Sequence, residues 1–102
     1  MSGAGDPGLF RREFEMGITR AEFLRLLPVA VRDEPFRVSG DDIVGERGPM
    51  PWRIRLEERP GRPFGAVTIP VLGVRLELQG ASDAQAGAFI ERFLLGFQRA
   101  GG

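Results

Sequence analysis

The sequence predicts an α+β fold, a two-layer sandwich in which an antiparallel sheet of four to six strands carries two helices on one face. Three observations lead there. Trp52-Arg53-Ile54-Arg55-Leu56-Glu57 alternates apolar and charged residues without fault, as a strand with one buried and one wet face must. Two capping boxes, Thr19 with Glu22 and Ser82 with Gln85, each open a run with apolar residues at helical spacing. Gly- and Pro-rich turn signals separate the remaining apolar segments, and no linker divides the 102 residues into two domains.

Taken in order, residues 1–8 are Met, Ser, Gly, Ala, Asp and Pro, an arm with no side chains that would order it. The single domain then spans 9–102. Leu9 to Met16 ends in the alternation Glu13-Phe14-Glu15-Met16 and reads as an edge strand. Thr19 is the N-cap of the first helix, and Ile18 and Phe23 stand where a hydrophobic staple belongs. Phe23, Leu24 and Leu27 form its apolar side, and Pro28 is expected to stop it. Val29 to Glu34 is a connector.

Phe36 to Ser39 and Ile43-Val44 flank Gly40-Asp41, whose leading glycine suits a type II′ hairpin. Gly48-Pro49-Met50-Pro51 and Arg59-Pro60-Gly61-Arg62-Pro63 read as turns around the strand that starts at Trp52.

The stretch Val67 to Gln79 is harder. Val67 and Ile69 share one parity, while Leu72, Val74, Leu76 and Leu78 share the other. A four-residue hairpin loop, Pro70 to Gly73, would explain the switch, and so would one long strand with a bulge at Pro70. The bulged strand is preferred, because a wet Pro-Val-Leu tip would need a partner to cover it. The closing helix carries Ala86, Phe89, Ile90, Phe93, Leu94 and Phe97 on one face. The resulting order, β-α-β-β-β-β-α, resembles the topology of TATA-binding-protein-like domains. That likeness is one of element order alone and brings no function with it.

Composition removes more functions than it suggests. The chain has no Cys, His, Tyr, Lys or Asn, and its fourteen basic residues are all arginine. Disulfides, thiolate nucleophiles and Fe–S sites are excluded, as are ordinary zinc sites and Schiff-base chemistry. The usual general base near neutral pH is missing too. No cofactor or metal is expected, and no enzyme activity. Arginine in place of lysine, with abundant Gly, Ala and Pro, points to a GC-rich bacterial coding sequence.

Fourteen acidic residues balance the arginines, which argues against a general binder of nucleic acid or anionic membrane. No apolar run of membrane-spanning length occurs, and Arg11-Arg12 is followed by no apolar segment of a signal peptide. The cytoplasm is the expected compartment.

Two functional readings follow. The first is a non-catalytic protein-interaction or accessory module, able to pair with another protein or with itself, with contacts at Met50, Trp52, Pro70, Val71 and Leu72. The second is an anion or nucleic-acid binder on the wet sheet face, where Arg37, Arg53, Arg55 and Arg75 could grip phosphates or carboxylates. A solvated face of cross-strand Arg–Glu pairs is the plainer account of those arginines.

Overall fold

A computed structural model describes residues 9–46, 48 and 50–101, those at 100 and 101 without their side chains. The N-terminal arm and Pro49 of the expected Gly48–Pro51 turn lie outside the described residues. The elements are β1 (Leu9–Met16), α1 (Arg20–Ala30), β2 (Arg37–Ser39), β3 (Asp42–Gly45), β4 (Trp52–Phe64), β5 (Val67–Gln79) and α2 (Asp83–Gly101). They form the expected α+β sandwich. The five strands make one antiparallel sheet in the order β1-β5-β4-β3-β2, and both helices cover the same face.

Alternation decides which face is buried. Ile54, Leu56, Val74, Leu76 and Leu78 point at the helices and are buried, whereas Arg53, Arg55 and Arg75 point away. From the helices come Phe23, Leu26, Leu27, Ala30, Ala86, Phe89, Ile90, Phe93 and Phe97. The aromatic rings form a continuous row: Phe23 stacks on Phe97 with centroids 4.8 Å apart, Phe97 meets Phe93 edge to face at 5.0 Å, and Phe93 stacks on Phe89 at 6.0 Å. Leu94, placed on the apolar face by its spacing, is instead 39% exposed.

Capping holds the helix starts. In α2 the box is complete: Gln85 N–H donates to Ser82 Oγ and Ser82 N–H to Gln85 Oε1. In α1 the Glu22 N–H donates to Thr19 Oγ1 at 3.1 Å, while the Glu22 carboxylate turns to Arg25. Thr19→Ala is expected to cost about 0.5–2 kcal/mol, read as a lowered melting temperature. A neutral substitution would remove the cap from the account of this helix.

Pro28 does not stop α1, which continues to Ala30. The proline forfeits one backbone bond, but Ala30 and Val31 beyond it are buried against the core, and that burial offsets the loss. Termination comes from a Schellman arrangement. Asp33 N–H donates to the Pro28 carbonyl and Arg32 N–H to that of Val29, with Arg32 at φ 54° in the left-handed region.

The Gly40-Asp41 turn is as expected, with Gly40 at φ 61° and Ser39 facing Asp42. Arg20 ties this turn to the start of α1, donating to the Gly40 carbonyl and lying 3.4 Å from Asp41. No helix among the described residues is long and apolar enough to cross a membrane.

The largest departure is in β4 and β5. Arg59–Pro63 is no turn: β4 runs through it to Phe64, and the chain reverses at Gly65-Ala66, with Gly65 at φ 62°. β5 is one long strand, as preferred, but the bulge lies in its partner. Arg59 faces Val71 and Arg62 faces Ile69, so three steps on β4 match two on β5. The extra residue falls in Pro60-Gly61, opposite Pro70. Pro60 and Pro63 are tolerated because this part of β4 has no further strand to bond.

Candidate functional site: the hairpin arm

The β4–β5 hairpin outruns its sheet. β1 accompanies β5 only to the pair Met16–Leu72, and β3 accompanies β4 only to Asp42–Arg55. From Arg59 to Val71 the hairpin therefore has no strand on either side. Thirteen residues of strand extend about 40 Å, so this hairpin accounts for most of the 50 Å long axis of the molecule.

The bulge decides what the arm displays. On β4, Trp52, Ile54 and Leu56 face the helices. Without an extra residue Phe64, of the same parity, would face that way too. The insertion at Pro60-Gly61 reverses the parity, so Phe64 joins Val67, Ile69 and Arg62 on the outer face. The apolar stripe of β5 really does change sides at Pro70, and β4 is bent to match. Phe64 at 72% and Val67 at 62% are the most exposed large apolar side chains among the described residues, and Ile69 beside them is 38% exposed. From Pro63 to Val74 the sequence has no charged residue.

The arm's edges invite no added strand. A two-residue loop makes Phe64 and Val67 bond to each other, so Pro63, Thr68 and Pro70 turn their backbones outward. Two of these three have no N–H to offer. The free edge of β1 is defended differently: Arg12 lies on its helix-facing side, opposite Leu76, with its guanidinium 5.5 Å from the Phe10 ring. A charge on the apolar side of an edge strand opposes pairing with another sheet. What the arm offers is a face of side chains.

At the base of the arm Glu15, the penultimate residue of β1, accepts hydrogen bonds from Arg62 and Arg59, each at 3.0 Å, and Arg59 also donates to Glu57 at 3.1 Å. The bonds from Arg62 and Arg59 hold the Glu15 carboxyl below the usual carboxylate range. The clamp is therefore fully present above ordinary carboxylate pKa values and is lost as pH falls through the lowered one. Arg59 lies over Gly73, where even a Cβ would come within 2.6 Å of its guanidinium.

The contacts expected from sequence divide. Pro70 and Val71 are half-buried at the root of the arm, where the Pro70 carbonyl and the Ile69 side chain lie beside Gly17, and Met50 packs half-buried against the core. Trp52 and Leu72 are not contact points; they are 2% and 0% exposed. The Trp52 ring lies across Gly45, 6.0 Å from Phe36, and donates to Glu34 Oε1 at 3.2 Å. Leu72 faces the helices because β5 carries no bulge to turn it outward. Phe64 and Val67 are not legible as a shared face in the sequence, because Phe64 follows a turn-like Pro-Gly segment and the bulge in β4 is set by its pairing with β5. The charge-free run from Pro63 to Val74 was the available signal.

The arginine face is laid out as expected, and it is largely neutralised. Arg55 bonds both oxygens of Asp42, Arg75 lies 3.4 Å from Glu13, and Arg37 lies 3.2 Å from Glu46. Only Arg53 of these four makes no ion pair among the described residues. A groove of about 430 Å³ runs along this face, lined by Arg55, Arg59 and Arg75 but also by Glu13, Asp41, Glu57 and Glu58. Such a mixed lining gives an anion little net attraction. Among the described residues no polar or charged side chain is buried, so no carboxylate sits where desolvation would tune it for proton transfer.

The chain matches no protein-family model, no curated protein and no solved structure.

Proposed function

We propose that the chain is a non-catalytic protein-interaction module whose contact surface is the outer face of the hairpin arm. The observation that carries this reading is the coincidence of Phe64, Val67 and Ile69 on one side of a projecting hairpin. That coincidence exists only because the bulge at Pro60-Gly61 turns Phe64 to join the other two. A bulge that exposes a phenylalanine costs stability, which makes contact with another molecule its natural use. The lack of His, Cys and Lys and the ion pairing of the outer carboxylates support a role in binding rather than catalysis. A bacterial, cytoplasmic setting belongs to the same proposal and rests on composition.

The test is a paired capture from lysate of the source cell, with the wild-type chain and a Phe64→Asp, Val67→Asp double variant as baits. Both residues are exposed, so the melting temperature should move little, each change being worth within about 0.5 kcal/mol. The captured proteins should be lost with the double variant. An unchanged set of captured proteins would refute the arm as the contact.

A further inference from the structure

Three candidates compete for a further role: the free edge of β1, the arginine-lined groove and the arm. Self-pairing of β1 with the partner's β1 about Arg12 would align Arg11 with Glu13 but would force the two Arg12 side chains together on the apolar side. The groove alone holds three arginines against four carboxylates and selects no anion. The arm, together with the groove at its root, carries more.

The arm's outer face holds a projecting feature and a receiving one. The projection is Phe64 with Val67 at the tip. The receiving feature lies at the level of Glu57 and Gly73, where the missing side chain of Gly73 leaves the Arg59 guanidinium lying flat against the strand. Guanidinium planes accept aromatic rings. Both features are on the same face, six residues apart along β5, which is about 20 Å. Midway between them, at the level of Pro70, Ile69 and Val71 stand on this face, while Pro70 itself has the helix-facing parity of Leu72, so two arms would meet there through those apolar side chains. The charges nearby, Arg59 and Arg62 with Glu15 and Glu57, are already matched within one chain, so a second copy brings no unpaired charge to the contact.

We propose that two copies of this chain associate through the outer faces of their arms, crossed antiparallel about a two-fold axis at Pro70, each Phe64 lying on the partner's Arg59 over its Gly73. This rests on the reading of the arm as a protein-contact surface and names the partner as the chain itself. Such an arrangement is isologous, each copy giving and receiving the same ring. Two overlapping arms, each about 20 Å long and 10 Å wide, bury only several hundred Å² in total. That is below the 1,200 Å² or so at which stable interfaces begin, so the dimer is weak.

Sedimentation equilibrium from about 10 μM to about 1 mM reads this association. The apparent mass of the 11.2 kDa chain should climb toward that of a dimer, and Phe64→Asp should remain monomeric with its melting temperature unchanged. The geometry is read by cross-linking, since the chain has no cysteine of its own. Ile69→Cys sits beside the axis and should be joined to its mate by a short bis-maleimide, whereas Phe64→Cys residues, about 20 Å apart, should not. Joining of Phe64→Cys but not Ile69→Cys would mean that tips meet, and would overturn the crossed arrangement. A chain monomeric at 1 mM would overturn self-association altogether. If that monomer sedimented with phosphatidylglycerol vesicles through Phe64, the arm's partner would be a lipid surface, and both this proposal and the protein-contact reading would fall. If it instead lost a captured protein on Phe64→Asp, the dimer alone would be refuted.

Discussion

Replacing Leu72 with alanine is expected to destabilise the protein by about 2–5 kcal/mol, the range for leucines removed from a packed core. Leu72 is 0% exposed and faces Glu58 across the hairpin and Met16 across the β1 pairing, at the point where the arm leaves the sheet. Its side chain points at the helices, away from the arm's outer face. The variant should therefore melt early, yet the fraction still folded should keep whatever contact the arm makes. A melting temperature within a degree of wild type would contradict the continuous strand described for β5.

The second large effect is expected at a glycine inside α2. A Cβ built on Gly96 would stand 2.6 Å from Ala30 Cα and 3.2 Å from Ala30 N, both backbone atoms of α1 that cannot rotate aside. Gly96→Leu should force the two helices apart and cost about 3 kcal/mol, the upper end of ordinary overpacking. Gly87 is the internal control. It lies in the same helix with nothing within 4 Å of its would-be Cβ, so Gly87→Ala should raise stability by up to about 1 kcal/mol. Chemical denaturation of the two variants checks both signs. Equal effects would mean that α1 and α2 are not in close contact at Ala30.

These residues also mark where sequence reasoning succeeds and fails. The capping residues Thr19 and Ser82, the Gly40-Asp41 turn and the alternation from Trp52 were legible because each is a local rule: the residues that state it are the residues that obey it. Pro28 and the Arg59–Pro63 segment depart from their local signals for the opposite reason. A proline stops a helix or strand only if its missing N–H is needed and nothing beyond it is buried, and both conditions depend on distant neighbours. Pro28 is followed by Ala30 and Val31, which the core holds in place, while Pro63 turns its ring nitrogen toward an edge where no strand waits. The face carrying Phe64 and Val67 was hidden by the same limit. Parity along β4 can be read only up to the bulge, and the bulge is fixed by pairing with β5. The arginine face was legible in its positions but not in its partners, since Asp42 and Glu13 meet Arg55 and Arg75 only across strands.

The position of β1 has a consequence for how the chain comes to be folded. Its register partners run from Leu72 to Gln79, so Leu9 waits for a residue seventy positions later and Met16 for one fifty-six positions later. The β4–β5 hairpin, by contrast, closes over a two-residue loop and needs nothing from outside itself. During synthesis from the N-terminus, β1 emerges first and stays without a neighbour until almost the whole chain has followed. Its closure is the most non-local step in the sheet and carries the largest loop-closure entropy, which sets it late in any route to the native state. Arg12 protects that strand through the wait: the charge that keeps the finished edge from pairing also keeps the nascent one from pairing with the wrong chain.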